Sequence, residues 1–92
     1  MALEHPAEII RDVGLRIAEA RRSAGLTQEE MAERLGIALR NYQRIELGKR
    51  NLTLKTMAKI GGILGVPVRV FMDEPASRAT RRGRPRGEPR SK

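Results

Sequence analysis

Residues 26–36 read LTQEEMAERLG, and their chemistry specifies a helix that starts sharply and stops early. Thr27 suits an N-cap and Glu30 falls three positions later, so hydroxyl and carboxylate each reach a free backbone N–H of the first turn. Leu26 before the cap and Met31 in the next turn are spaced to close over the helix end as a hydrophobic staple. Met31, Ala32 and Leu35 form one apolar stripe, and Gly36 supplies a left-handed stop after about two turns. A helix that short is unstable alone in water, so neighbours must hold it.

Those neighbours are legible on both sides. Upstream, Ile10, Val13, Ile17, Ala20 and Ala24 recur every three or four residues, which predicts a first helix over about residues 6–24 with Pro6 in its first turn and Gly25 after its end. Gly14 should weaken it by roughly 1 kcal/mol relative to Ala. Downstream, Ala38, Tyr42 and Ile45 share one face of a third helix ending at Gly48. Its outward face carries Leu39, Arg40, Gln43, Arg44 and Leu47, with Asn41 at one edge. Thr53 caps a fourth helix in which Leu54, Met57, Ile60 and Leu64 face inward and Gly65 is the stop. Gly61 and Gly62 interrupt it, either to let another helix, of this chain or of a second subunit, approach closely or at a simple cost in stability. VPVRVFM, residues 66–72, alternates like a strand, but no second strand is available to pair with it, so a short helix from Pro67 is expected. The fold class is therefore all-α, a compact bundle of about five short helices over residues 1–74, followed by a disordered Arg/Gly/Pro-rich tail over 75–92.

The 92 residues allow one small domain and leave little room for a deep cleft. With no Cys and a single histidine, His5 near the terminus, no metal, no cofactor and no catalytic set is expected. No apolar run approaches membrane-spanning length and no signal-peptide order opens the chain, so a cytoplasmic protein without a membrane partner is expected. The formal net charge of +8 is uneven: residues 75–92 hold seven basic residues and one acid. Such a tail on a nearly balanced globular part points to a polyanionic partner, most often nucleic acid.

Two short helices joined around a glycine match the outline of a helix-turn-helix. The outward face of the second adds the chemistry, because Arg can fork to guanine and Gln or Asn can pair with adenine in a major groove. From LTQEEMAERLG through RIELGKRN to LGV, roughly residues 13–72, the chain resembles the Xre/Cro family of lambda-repressor-like DNA-binding domains. That resemblance implies a homodimeric transcriptional regulator on a two-fold symmetric operator in double-stranded DNA. It also implies that Leu39, Arg40, Asn41, Gln43 and Arg44 face bases, and that Gln28, Ala38, Lys49, Arg50 and Asn51 lie against phosphates. An ion pair between Arg21 and Glu46 is implied as well.

The chain departs from the family pattern at three places. Ala38 stands where Ser or Thr usually caps the third helix. Tyr42 replaces Ile or Val at the buried hinge and needs a partner for its hydroxyl; its face, shared with Ile45, favours the core over base stacking. Leu39 can touch a thymine methyl or be partly buried against helix two. In the tail, Arg82, Gly83, Arg84 and Pro85 resemble an AT-hook core, the alternative being an arm that binds phosphates without base preference. Val68, Val70, Phe71 and Met72 are more apolar than a small monomer readily covers and are expected to join two copies. Free-standing repressor, restriction-modification controller and autoregulating antitoxin remain open, the last with a toxin or other protein as partner. The alternative of another class is a protein-interaction module that keeps the fold without binding specific DNA.

Overall fold

The computed structural model describes residues 5–73 and residue 75. Four α-helices, α1 (Pro6–Ser23), α2 (Gln28–Leu35), α3 (Leu39–Glu46) and α4 (Leu54–Leu64), are followed by a 3-10 helix at Val68–Met72. The expected all-α bundle is thus present, with the closing segment helical rather than extended. Among the described residues no helix is long and apolar enough to cross a membrane.

Helix boundaries follow local chemistry. Thr27 Oγ1 accepts from the Glu30 N–H at 3.0 Å while the Thr27 N–H donates to Glu30 Oε1 at 2.8 Å, completing the capping box of α2. Gly36 ends that helix at φ 73°, a left-handed conformation that a side chain would strain. Thr53 caps α4 by accepting from the Thr56 N–H at 3.1 Å. α3 has no such cap: Ala38 is its extended N-cap residue, and its side chain is methyl only.

Every helix sends side chains to one core. Ile17 from α1, Met31 from α2, Tyr42 and Ile45 from α3, Ile60 from α4 and Phe71 from the 3-10 helix meet there, with Val13, Ala32, Leu35 and Met57 around them. Fully burying each large side chain stabilises by about 1.5–3 kcal/mol, so no short helix stands by itself. α1 packs on both α3 and the 3-10 helix, and α2 packs on α3 and α4.

The core departs from sequence expectation at several points. Ala38 precedes α3 and is exposed, because the helix begins one residue later than its apolar spacing implied. Ala24, expected on the stripe of α1, is exposed in the turn after that helix ends. Leu54, expected to face inward, is 75 % exposed and lines a groove with Ile9, Ile10 and Leu52. Phe71 is 0 % exposed and lies inside the chain's own core, so it is closed to a second copy; Met72 is 57 % exposed, and Val68 and Val70 are half-buried. Pro75, where the tail was expected to begin, is also fully buried.

Gly14 has a purpose beyond lowering the propensity of α1. A Cβ there would meet the backbone oxygens of Ile45 and Glu46 at 2.6 Å, so only glycine lets α1 seat against the end of α3. Gly61 plays the same part against Val66 O, at 2.6 Å, whereas nothing lies near Gly62. The two adjacent glycines of α4 thus divide between close packing and open space.

Candidate nucleic-acid interface

The junction of α1, α2 and α3 is built around one carboxylate. Glu46, the last residue of α3, is buried beside the fully buried Tyr42, one turn earlier. Arg21 donates from Nε to Glu46 Oε2 at 2.6 Å and from Nη2 to Glu46 Oε1 at 3.2 Å. Its third donor, Nη1, reaches Leu26 O at 2.9 Å and ties the turn before α2 into the same knot. Tyr42 donates its hydroxyl to Glu46 Oε2, which supplies the partner that a buried tyrosine requires. Gln28 Nε2 donates to Glu46 Oε1 at 2.9 Å, and Gln43 Nε2 donates in turn to Gln28 Oε1 at 3.2 Å.

Charge follows from this geometry. Burial alone would push the Glu46 carboxyl up, but hydrogen bonds from Arg21, Tyr42 and Gln28, with the charge of Arg21, hold it below the usual carboxylate range. The hydrogen bond to Glu46 raises Arg21 against the opposing effect of burial. Burial, followed by the hydrogen bond to Glu46, pushes the Tyr42 hydroxyl well up. The junction therefore holds a full ion pair and a neutral phenol at neutral pH.

The expected site residues take distinct places around this junction. Arg40 and Arg44 are exposed and one turn apart on α3, and Leu47, 61 % exposed, continues their ridge into the helix end. Gln43 and Asn41 are half-buried. Leu39 is half-buried and packs against the core, which favours burial as its main task. Ala38, Lys49, Arg50 and Asn51 are exposed at the two ends of α3, while Gln28 is half-buried with its amide engaged on Glu46 and Gln43. Gly48 takes φ 73°, and a Cβ on it would meet the Arg11 Cα at 2.6 Å; the turn that presents Lys49 and Arg50 thus rests directly on α1. Arg82, Gly83, Arg84 and Pro85 lie outside the described residues. Among those described, no group of His, Cys, Asp or Glu is arranged to hold a metal ion.

Reading the sequence missed the links that run from Glu46 to Tyr42, Gln28 and Gln43. The Tyr42–Glu46 contact had a usable signal, an i, i+4 pair on one helix face. The Gln28 links had none, because they join residues 15 and 18 positions apart across a turn.

A family model described as Helix-turn-helix matches residues 17–71. The chain belongs to the helix-turn-helix family. In helix-turn-helix terms, α2 and α3 are the paired helices and the Glu46 cluster is the knot between them. The chain is 43 % identical over 53 residues to the SPβ prophage-derived uncharacterised HTH-type transcriptional regulator YonR of Bacillus subtilis, the match covering 58 % of this chain and 49 % of YonR. It is 35 % identical over 69 residues to an uncharacterised HTH-type transcriptional regulator of Sinorhizobium medicae, covering 75 % of this chain and 50 % of that protein. The chain thus spans about half the length of these curated relatives. Among solved structures, the restriction-modification controller protein C.AhdI from Aeromonas hydrophila superposes with a TM-score of 0.63 at 29 % identity, covering 67 % of this chain and 94 % of that one.

Proposed function

We propose that this helix-turn-helix chain is a transcriptional regulator that binds double-stranded DNA with α3 in the major groove, as a homodimer on a two-fold symmetric operator. The observation that carries this is the exposed Arg40–Arg44 ridge on a helix whose orientation is locked to α1 and α2 through Glu46. Arginine held in that way forks to guanine, and Asn41 and Gln43 beside it suit adenine. Leu39 touches a thymine methyl only with whatever surface the core leaves free. The uncapped N–H groups at the start of α3, with Lys49, Arg50 and Asn51 after it, serve the phosphates. The names of YonR and the Sinorhizobium protein as transcriptional regulators support the same role.

The two copies meet through Val68, Val70 and Met72, and their α3 helices must then lie about 34 Å apart to enter successive major grooves on one face of the duplex. The Arg82-Gly83-Arg84-Pro85 stretch adds contacts to flanking phosphates or to an adjacent minor groove. Among free-standing repressor, restriction-modification controller and autoregulating antitoxin, the likeness to C.AhdI favours the restriction-modification controller. Sequencing the fragments that the protein retains from a random DNA pool tests the reading. An inverted repeat with half-site centres one helical turn apart is the expected result, and a pool with no enriched sequence overturns it.

A further inference from the structure

The Glu46 knot does more than join helices, because the polarity of one carboxylate passes through Gln28 to the groove-facing side of α3. Glu46 is doubly paired with Arg21, so it is ionised, and an ionised carboxylate only accepts hydrogen bonds. Gln28 must therefore turn its NH2 group to Glu46, as it does at 2.9 Å. Its carbonyl end is then left facing α3, where only a donor fits, and Gln43 Nε2 stands there at 3.2 Å. One N–H of Gln43 is engaged in this contact, leaving one N–H and the carbonyl oxygen free. A reversed Gln28 would instead occupy the Gln43 carbonyl and leave two donors.

We infer that Gln28 is a positioning residue for base choice: it relays the polarity of Glu46 to Gln43, which then offers one donor and one acceptor and selects adenine over guanine. The adenine edge in the major groove pairs an N7 acceptor with an N6 donor, whereas guanine presents two acceptors, N7 and O6. The fixed order of the Gln43 amide matches the first edge and mismatches the second. This deepens the proposed DNA reading and rests on it. It also gives Gln28 a task distinct from a phosphate contact, whose removal weakens every sequence alike.

The test uses the full chain on duplexes that differ in one base pair, at the operator position whose preference Gln43→Ala changes. The wild-type protein should prefer adenine to guanine there by about tenfold, within the range that one good bidentate pair supplies. Gln28→Met should bring that ratio close to unity, leave preferences at the other positions in place and change nothing further at this one when added to Gln43→Ala. The urea midpoint should fall, because Glu46 is left with one donor fewer, so binding is compared where both proteins are folded. A Gln28→Met protein that weakens on all duplexes equally overturns the relay and leaves Gln28 a phosphate contact. A wild-type protein with no base preference anywhere overturns the DNA reading itself. A second measurement needs no DNA and no folded variant at this position: NMR of the wild-type chain should show the Gln43 side-chain amide protected from solvent exchange. Exchange as fast as that of an exposed glutamine overturns the relay.

Discussion

Arg21 and Glu46, 25 residues apart, form a two-point ion pair of 2.6 and 3.2 Å where α1, α2 and α3 converge. Both side chains are largely shielded from water, so neither charge is free to rehydrate if the other is removed. Arg21→Ala leaves the carboxylate with only Tyr42 and Gln28 as donors and should cost about 3–5 kcal/mol of stability. The double variant Arg21→Met with Glu46→Leu should lose much less, since apolar packing replaces both charges together. Urea denaturation of the three proteins measures this; equal losses in the single and double variants would show that the pair is not coupled.

Acid should find the same knot. The folded Glu46 carboxyl is held below its ordinary value, so the unfolded chain binds that proton more readily than the folded one. Its contribution is fully present above the ordinary value of about 4.3 and is lost as pH falls through the depressed folded value. Glu30, lowered first by its hydrogen bond to the Thr27 backbone, adds in the same direction from the surface. Stability measured from pH 6 to pH 2 should therefore fall, and Glu46→Gln should make that fall shallower while Glu30 maintains part of it.

Three glycines inside helices should respond oppositely to alanine. By helix propensity alone each substitution stabilises by about 1 kcal/mol. Gly62→Ala meets nothing and should gain about that amount. Gly14→Ala and Gly61→Ala drive a Cβ to 2.6 Å from a backbone oxygen and should lose about 1–3 kcal/mol, as overpacked sites do. Thermal melts of the three variants separate the two classes.

On DNA, two classes of cation should separate as well. Arg40→Ala and Arg44→Ala should each relax preference at a discrete operator position, and binding should weaken by about 1–3 kcal/mol where a bidentate bond to guanine is removed. Lys49→Ala and Arg50→Ala should weaken matched and scrambled DNA alike and reduce the salt slope by about 1 for each phosphate no longer neutralised. Salt titrations on the two DNAs tell them apart.

Self-association should depend on Met72 and not on Phe71. Met72→Asp should leave a folded chain that sediments as a monomer, because Met72 is already 57 % exposed. Phe71→Asp places a charge in the core and should unfold the domain instead. A Met72→Asp protein that still dimerises would move the interface away from the 3-10 helix.

Several features of the site were legible in the chain itself. Thr27 with Glu30, and Thr53 before α4, announce helix starts because capping joins residues three positions apart. The faces of α2 and α3 are legible for the same reason, as periodicity is a local property. That is how Arg40 and Arg44 on one side, and Tyr42 and Ile45 on the other, could be assigned. Arg21 and Glu46 were paired by family resemblance, and nothing in their spacing alone would have joined them.

Sequence by itself therefore determined the four α-helices, the Thr27 and Thr53 caps of α2 and α4, and the outward basic ridge of α3, all of which rest on contacts within a few residues. Tertiary structure alone decided which apolar residues find the core: it closed Phe71 in and left Leu54 out, although both are large and apolar. It also decided that Gly14 is required where α1 meets the carbonyls of Ile45 and Glu46, and that Gln28 stands between Glu46 and Gln43. The physical reason is range: caps and periodicity are written along the chain, whereas close packing and buried hydrogen bonds depend on how separate helices are set against one another, which no local pattern encodes.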